Sequence, residues 1–225
     1  MSIFGRASPL QLLEKAAMGM GHDCVLCGSP SSAAFACLAC QAHLPHGTGT
    51  CDDTLAANGV LDGAEAAFDY RFPLDRLILR FKFAGDLAVG HWLALQLAQR
   101  VATLQSPDLL VAPPLSAARL RTRGFNQALE LAKVVGRELG VPVDIAGLAR
   151  VRDTLPQPGL SAHARRHNLR GAFSCRVRLA GEHVAIVDDV LTTGATAEAM
   201  ARVLKDAGAG RVSVWAVARA AAPRR

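Results

Sequence analysis

Apolar and polar positions change period several times along the chain, and each change marks an element. Leu74–Phe83 (LDRLILRFKF) places its apolar residues at helical spacing, with Arg76, Arg80 and Lys82 interleaved. His91–Leu104 predicts a second, more apolar helix. Asp108–Ala112 (DLLVA) reads as a short buried strand halted by Pro113-Pro114, since paired prolines cannot continue a ladder. Phe125–Leu139 is an amphipathic helix that ends at Gly140, with Pro142 beyond. Val141–Ile145 and Leu148–Val151 are weaker strands. Cys175–Leu179 and His183–Val187 flank Ala180-Gly181-Glu182 and read as a hairpin. Ala195–Ala207 is a helix closed by Gly208, and Arg211–Ala218 is a last strand. Strands alternating with helices of this length predict an α/β fold, a mainly parallel sheet with helices on both faces.

Ahead of these elements the pattern is different. Residues 24–51 contain no Lys, Arg, Asp or Glu but hold Cys24-Val-Leu-Cys27 and Cys37-Leu-Ala-Cys40. A CxxC turn directs two thiolates at one point, and two such turns complete a tetrahedral zinc site. The nine-residue spacer suffices for a small ribbon hairpin, and Gly28 suits a turn that needs positive φ. Four thiolates leave no open position, so one structural Zn²⁺ is expected. Disulfides are the alternative, disfavoured in a reducing compartment. The expected organisation is a tail or helix over 1–20, a zinc ribbon over 21–55 and an α/β domain over 65–222, with the small, turn-like stretch 53–66 as the boundary. Cys51 and Cys175 receive no role.

Composition narrows the class. With 51% apolar residues in 225, the chain can fill a core, which excludes wholesale disorder. No apolar run reaches the ~18 residues of a membrane span, and the N-terminus MSIFGRASPLQLLEK lacks a signal-peptide core, so a cytoplasmic location without membrane insertion is expected. The net charge of +6 is unevenly placed: residues 115–180 hold twelve basic and four acidic side chains. A basic zone of this kind points to a polyanion, whether pyrophosphate, a sugar phosphate or nucleic acid. A solvated arginine face is the plainer explanation.

The chemistry concentrates in His183–Thr196, HVAIVDDVLTTGAT. Val184–Val187 form a buried strand, Asp188 and Asp189 stand at its carboxyl end, and Thr192-Thr193-Gly194-Ala195-Thr196 turns into a helix. Backbone N–H groups and hydroxyls around a helix N-terminus make a cradle for a phosphate. The neighbouring carboxylates suit vicinal hydroxyls or a water-bridged Mg²⁺. A sugar phosphate satisfies both halves.

Residues 184–196 resemble the binding motif for 5-phosphoribosyl 1-diphosphate (PRPP) of type I phosphoribosyltransferases. The chain as a whole resembles the ComF family (competence protein F, also called GntX-like), through the paired CxxC motifs, AAFDYRFPLDRLILRFKFAGD, VAPPLSAARLRTRGFNQA, LARVRDTLPQPGLSAHARRHNLRGAF and VAIVDDVLTTGAT. Many relatives carry a second CxxC after the first zinc site. Only Cys51 of that pair stands here, so a single zinc is expected. The resemblance implies a type I phosphoribosyltransferase-like fold that binds PRPP with Mg²⁺. Asp188 and Asp189 match the acidic pair on the ribose hydroxyls, and Thr192, Thr193, Gly194, Ala195 and Thr196 match the 5′-phosphate loop. Pro113 and Pro114 stand where the pyrophosphate loop lies, with Arg119 and Arg123 close behind. Gln157, Ser161, Arg165 and Asn168 fall in the place of the flexible loop, which makes Arg165 a catalytic candidate beside the aspartates. Asn126 and Gln127 of the RGFNQ block either cap their helix or serve the site.

The resemblance further implies a role in natural competence, with transforming single-stranded DNA and competence helicase or recombination proteins as partners. The alternative is a phosphoribosyltransferase acting on an unidentified acceptor, unrelated to DNA. Aromatic residues are only 5% of the chain, a thin supply for base stacking.

Overall fold

In the computed structural model the described residues are 22–31, 35–47, 59–152 and 168–220. The predicted tail over 1–20 and Cys51 lie outside them. The chain divides into two compact units, 1–44 and 45–225.

The first unit contains two short antiparallel strands, β1 (His22–Asp23) and β2 (Pro30–Ser31), and one helical turn, α1 (Leu38–Ala42). Gly28 turns the first CxxC at φ 73°, a conformation a Cβ would resist, and its N–H donates to the Cys24 carbonyl at 2.8 Å.

The second unit is built on one sheet. Its elements in order are β3 (Gly63–Asp69), α2 (Leu74–Ala84), α3 (Leu87–Val101), β4 (Leu109–Val111), α4 (Ala117–Arg123), α5 (Gln127–Leu139), β5 (Val143–Asp144), β6 (Leu148–Arg150), β7 (Phe173–Cys175), β8 (His183–Leu191), α6 (Ala195–Asp206) and β9 (Arg211–Arg219). The five-stranded sheet has the order β3-β9-β8-β4-β5, and every pairing in it is parallel. Strand β8 is central, between β4 and β9, so its apolar run is buried on both faces, as a parallel sheet requires. Alternate residues serve the two sides. Val184 and Ile186 join Met200, Ala201 and Leu204 of α6 in one core. Leu110 of β4 faces α5 at Gly136, where helix and strand approach closely.

Two expectations are corrected. The hairpin around Ala180-Gly181-Glu182 does not form. Strand β7 ends at Cys175 and pairs antiparallel with β6, while β8 has both edges occupied by parallel neighbours. The intervening loop instead binds the end of α6: the Leu179 and Gly181 N–H groups donate to the Ala207 and Gly208 carbonyls. The stretch 53–66 is also not all turn, because β3 opens at Gly63. Glu65 disguised that strand; its carboxylate is buried against Arg100 at 3.2 Å.

The helices confirm the periodic reading, with ends shifted by caps. Helix α3 begins at Leu87, a turn earlier than expected, because Asp86 accepts from the Val89 N–H. Helix α4 was not anticipated. Ser116 caps it and Gly124 closes it at φ 79°.

Candidate functional site

The carboxyl ends of β4 and β8 open into a pocket of about 210 Å³. Open α/β sheets bind ligands at this edge, because the strands end there and the following loops diverge. Asp188 and Asp189 enter the pocket from β8 and Thr196 from the first turn of α6. Gly194 is the N-cap of α6 at φ 74°, which turns the chain sharply from strand into helix. Thr192 is exposed, Thr193 half-buried and Gly194 and Ala195 buried; Thr196 is the residue of this loop whose side chain reaches the lining.

The opposite wall comes from the turn after β4 and from α4. Pro113, Pro114 and Leu115 line the pocket together with Arg119 and Arg123. The unanticipated helix explains why both arginines arrive: residues four apart share one helical face. Arg123 is fixed twice. Its Nη1 donates to Gln127 Oε1 at 3.0 Å, and its guanidinium lies over the Phe83 ring, 5.3 Å from the centroid. Asn126 does both things the sequence left open. Its Oδ1 accepts from the Leu129 N–H, capping α5, and its Nδ2 donates to the Pro113 carbonyl at 3.0 Å. Asn126 thereby ties the turn of the pocket to the start of a helix.

The carboxylates are not equivalent. Lys82 of α2 reaches Asp189, Nζ to Oδ1 2.9 Å, with both side chains largely out of solvent. Among the described residues Asp188 has no such partner at contact distance; the Asp189 N–H donates to its Oδ1 at 2.8 Å. Burial, reinforced by the negative charge of Asp189, pushes the Asp188 carboxyl up to about 7, although that N–H and the charges of Lys82 and Arg123 pull the other way. Among the described residues, the pocket sets two acidic side chains against four basic ones: Lys82, Arg119, Arg123 and Arg150. Such a surplus suits a ligand carrying several negative charges.

In the first unit, the sulfurs of Cys24, Cys27, Cys37 and Cys40 all lie within 4.8 Å of one another, with Cys27 and Cys37 at 3.9 Å. Tetrahedral zinc with bonds of about 2.3 Å separates its sulfurs by roughly 3.8 Å, so a metal ion fits with little adjustment. The Cys37 N–H donates to Cys24 Sγ at 3.3 Å, and the Cys40 N–H to Cys37 Sγ at 3.4 Å. Burial opposes ionisation of Cys24, yet the N–H groups of Cys37, Cys27 and Leu26 hold its thiol down at about 6. Cys40, hydrogen-bonded to the sulfurs of Cys37 and Cys27, is pushed up to about 12. Without a cation Cys40 keeps its proton, and a dication removes that obstacle.

A model of the phosphoribosyl transferase domain matches residues 125–225. The DNA utilization protein YhgH of Escherichia coli (strain K12) is 35% identical over 202 residues, spanning 87% of this chain and 83% of that one. Competence protein F of Haemophilus influenzae is 34% identical, spanning 82% and 84%. The chain belongs to the ComF family. A more distant ComF relative, competence protein ComFC of Bacillus subtilis, is 28% identical over 192 residues.

For this ComF chain the structure gathers Asp188, Asp189, Thr196, Pro113, Pro114, Arg119 and Arg123 into one pocket. Of the expected flexible-loop residues, Gln157, Ser161 and Arg165 lie outside the described residues. Asn168 stands where the described chain resumes, and its carbonyl accepts from Arg152 Nη2 at 2.9 Å. Sequence reasoning gave no role to Lys82 or Arg150. Lys82 carried a signal: it lies four residues after buried Ile78, so helical spacing put a charge at the margin of an apolar face. Arg150 sits on short β6, where nothing in the sequence separated it from a surface arginine; its guanidinium packs over Phe173.

Among the described residues, no helix is long and apolar enough to cross a membrane.

Proposed function

We propose that the pocket binds PRPP together with Mg²⁺, and that the protein acts in natural competence by handling transforming single-stranded DNA. One observation carries the first half. A paired carboxylate, a helix N-terminus bearing a hydroxyl, and a bracket of cations meet in one pocket sized for a small sugar phosphate. The loop Thr192–Thr196 and the N-terminus of α6 take the 5′-phosphate. Asp188 and Asp189 accept from the ribose hydroxyls. The Pro113–Leu115 turn, Arg119 and Arg123 receive the diphosphate. Asp188 and Asp189 are the hard oxygen donors that Mg²⁺ prefers, and Mg²⁺ is commonly held through one or two carboxylates plus ligand phosphates. The ion supplies charge neutralisation at the diphosphate when bound. Arg165, with Gln157, Ser161 and Asn168, is the candidate to add a positive charge at the diphosphate.

The four cysteines hold one structural Zn²⁺ in a ribbon over 21–55, which leaves 65–222 as the ligand-binding domain. A reduced Cys₄ site suits a cytoplasmic setting. Support for the DNA role comes from the family, whose members bear the names competence protein F and DNA utilization protein, and from the basic zone over 115–180. Competence helicase or recombination proteins are the partners this role calls for.

Asp188 favours a second reading, a transferase moving ribose 5-phosphate to an acceptor. It lies in the same pocket as Arg119 and Arg123, whose charges would stabilise a departing diphosphate.

Calorimetric titration of PRPP with Mg²⁺ into the zinc-loaded protein tests the site. Saturable binding that disappears in Asp188→Asn/Asp189→Asn is expected. An intact protein that takes up no PRPP refutes the assignment.

A further inference from the structure

The stacking surface that composition made look scarce is present, and it is exposed on α2. Helix α2 buries Leu74, Leu77, Ile78 and Phe81. Its other side, extended by the residues flanking it, carries large apolar groups in solvent. Phe72 is 75% exposed, Phe83 70%, Leu87 57% and Leu79 37%. Leu79 and Phe83, four residues apart, form a stripe on the outer side of α2 with Arg76, while Phe72 immediately precedes the helix and Leu87 opens α3. The stripe continues onto α4, because Arg123 covers the Phe83 ring and Leu120, three residues before Arg123, is 45% exposed.

Arginines punctuate this surface. Arg71 precedes Phe72, Arg76 stands between Phe72 and Leu79, Arg80 follows Leu79, and Arg121 follows Leu120, all four exposed. Protein–protein contacts also enrich phenylalanine and arginine; four exposed arginines on one face favour a polyanion. A sequence-tolerant single-strand site, by contrast, combines aromatic rings for bases with a basic track for phosphates. Three acidic residues stand beside these arginines: Asp69 lies 3.9 Å from Arg71, Asp86 is held by Arg80 at 2.7 Å, and Asp75 accepts the Arg76 N–H.

We infer that the outer face of α2, continued by α4, is a track for single-stranded nucleic acid, with Phe72 and Phe83 stacking bases and Arg71, Arg76, Arg80 and Arg121 contacting phosphates. The inference rests on the reading that this protein handles single-stranded DNA. It places that contact beside the PRPP pocket: Lys82 lines the pocket one residue before Phe83 faces outward, and Arg123 belongs to both.

The test uses the full-length zinc-loaded protein and fluorescence anisotropy with a labelled oligothymidylate of roughly 15 nucleotides. Four phosphate contacts give a log–log salt slope of about −3. Phe72→Ala, which touches nothing in the pocket, weakens binding roughly 5- to 150-fold, the range for loss of one stacked base. Arg76→Gln reduces the slope by about 0.7. Both variants retain wild-type PRPP binding by calorimetry and an unchanged unfolding temperature. Phe83→Ala weakens DNA binding as Phe72→Ala does. Wild-type binding that none of these variants alters overturns this surface while leaving the DNA role standing. No binding by the wild type at low salt overturns both. A wild-type homodimer that Phe72→Ala dissociates overturns the inference in favour of a self-association face.

Discussion

Replacing Lys82 by Met keeps the side chain's length and packing and removes only its charge. The ammonium lies 2.9 Å from Asp189, with side-chain exposures of 18% and 12%. At an effective dielectric of about 20 the attraction is roughly 6 kcal/mol, much of it offset by desolvation of the two ions. Removing one partner of a buried pair strands the other, at a cost of about 3–5 kcal/mol, and the residual solvent access here favours the lower end. For a unit of this size, about 3 kcal/mol lowers the unfolding temperature by roughly 6–12 °C. The loss depends on pH, and its sign follows from Asp188. That carboxyl titrates near 7 in the fold and near 3.8 when unfolded, so the native state binds the extra proton. Stability contributed by this group therefore falls as pH rises from about 4 to 7. The Lys82 charge pulls the Asp188 value down; without it the value rises further and the fall continues to higher pH. Differential scanning fluorimetry at pH 5 and pH 8 should show Lys82→Met costing stability at both pH values and more at pH 8, because the Lys82–Asp189 contact is common to both while the charge of Asp188 is added only at the higher pH. An equal loss at both pH values, or none at either, refutes the account of Lys82 as the counter-ion of this carboxylate pair.

Asn126→Ala removes a helix cap and the bond to the Pro113 carbonyl, and chemical denaturation should show a loss of about 2 kcal/mol. Asn126→Ser restores the cap but cannot reach Pro113; it should recover most of the stability without recovering PRPP affinity, and recovery of both would show the bond to Pro113 to be incidental. Cys27→Ser should lower zinc from about one ion per chain, measured by elemental analysis, and expose the first unit to limited proteolysis while PRPP binding persists. Parallel loss of both properties would show that the two units depend on each other.

Legibility tracked how local the determining physics is. The HVAIVDDVLTTGAT segment was readable because strand, acids and phosphate loop are contiguous, and one turn at Gly194 suffices to assemble them. Helices α2, α3, α5 and α6 were readable for the same reason, the caps at Asp86 and Asn126 shifting ends by a few residues. Strand β3 was not, because its buried Glu65 depends on Arg100, thirty-five residues away. The false hairpin came from alternation alone, which does not reveal that both edges of β8 are already taken. Arg150 was unreadable as a site residue, and Lys82 showed only as a charge at the margin of an apolar face, because the elements that bear them meet β8 only in three dimensions. The exposed phenylalanines were counted in the composition, but counting could not tell outward rings from buried ones.

The sheet order has a consequence for how the chain acquires its shape. Strand β3, formed by residues 63–69, finds its parallel neighbour in β9, residues 211–219, some 140 residues later. During synthesis the apolar faces of β3 and β8 therefore wait, unpaired along one edge, until nearly the whole second unit has left the ribosome. Pairings this distant in sequence form slowly, and the waiting edges are open to association with other chains. Pro45–Gly47 gives β3 partial cover on its other edge, through Gly47 and Asp69 backbone bonds. Completion of the sheet is thus a late, all-or-none event, and a chain arrested before β9 would carry every residue of the pocket without ever presenting it.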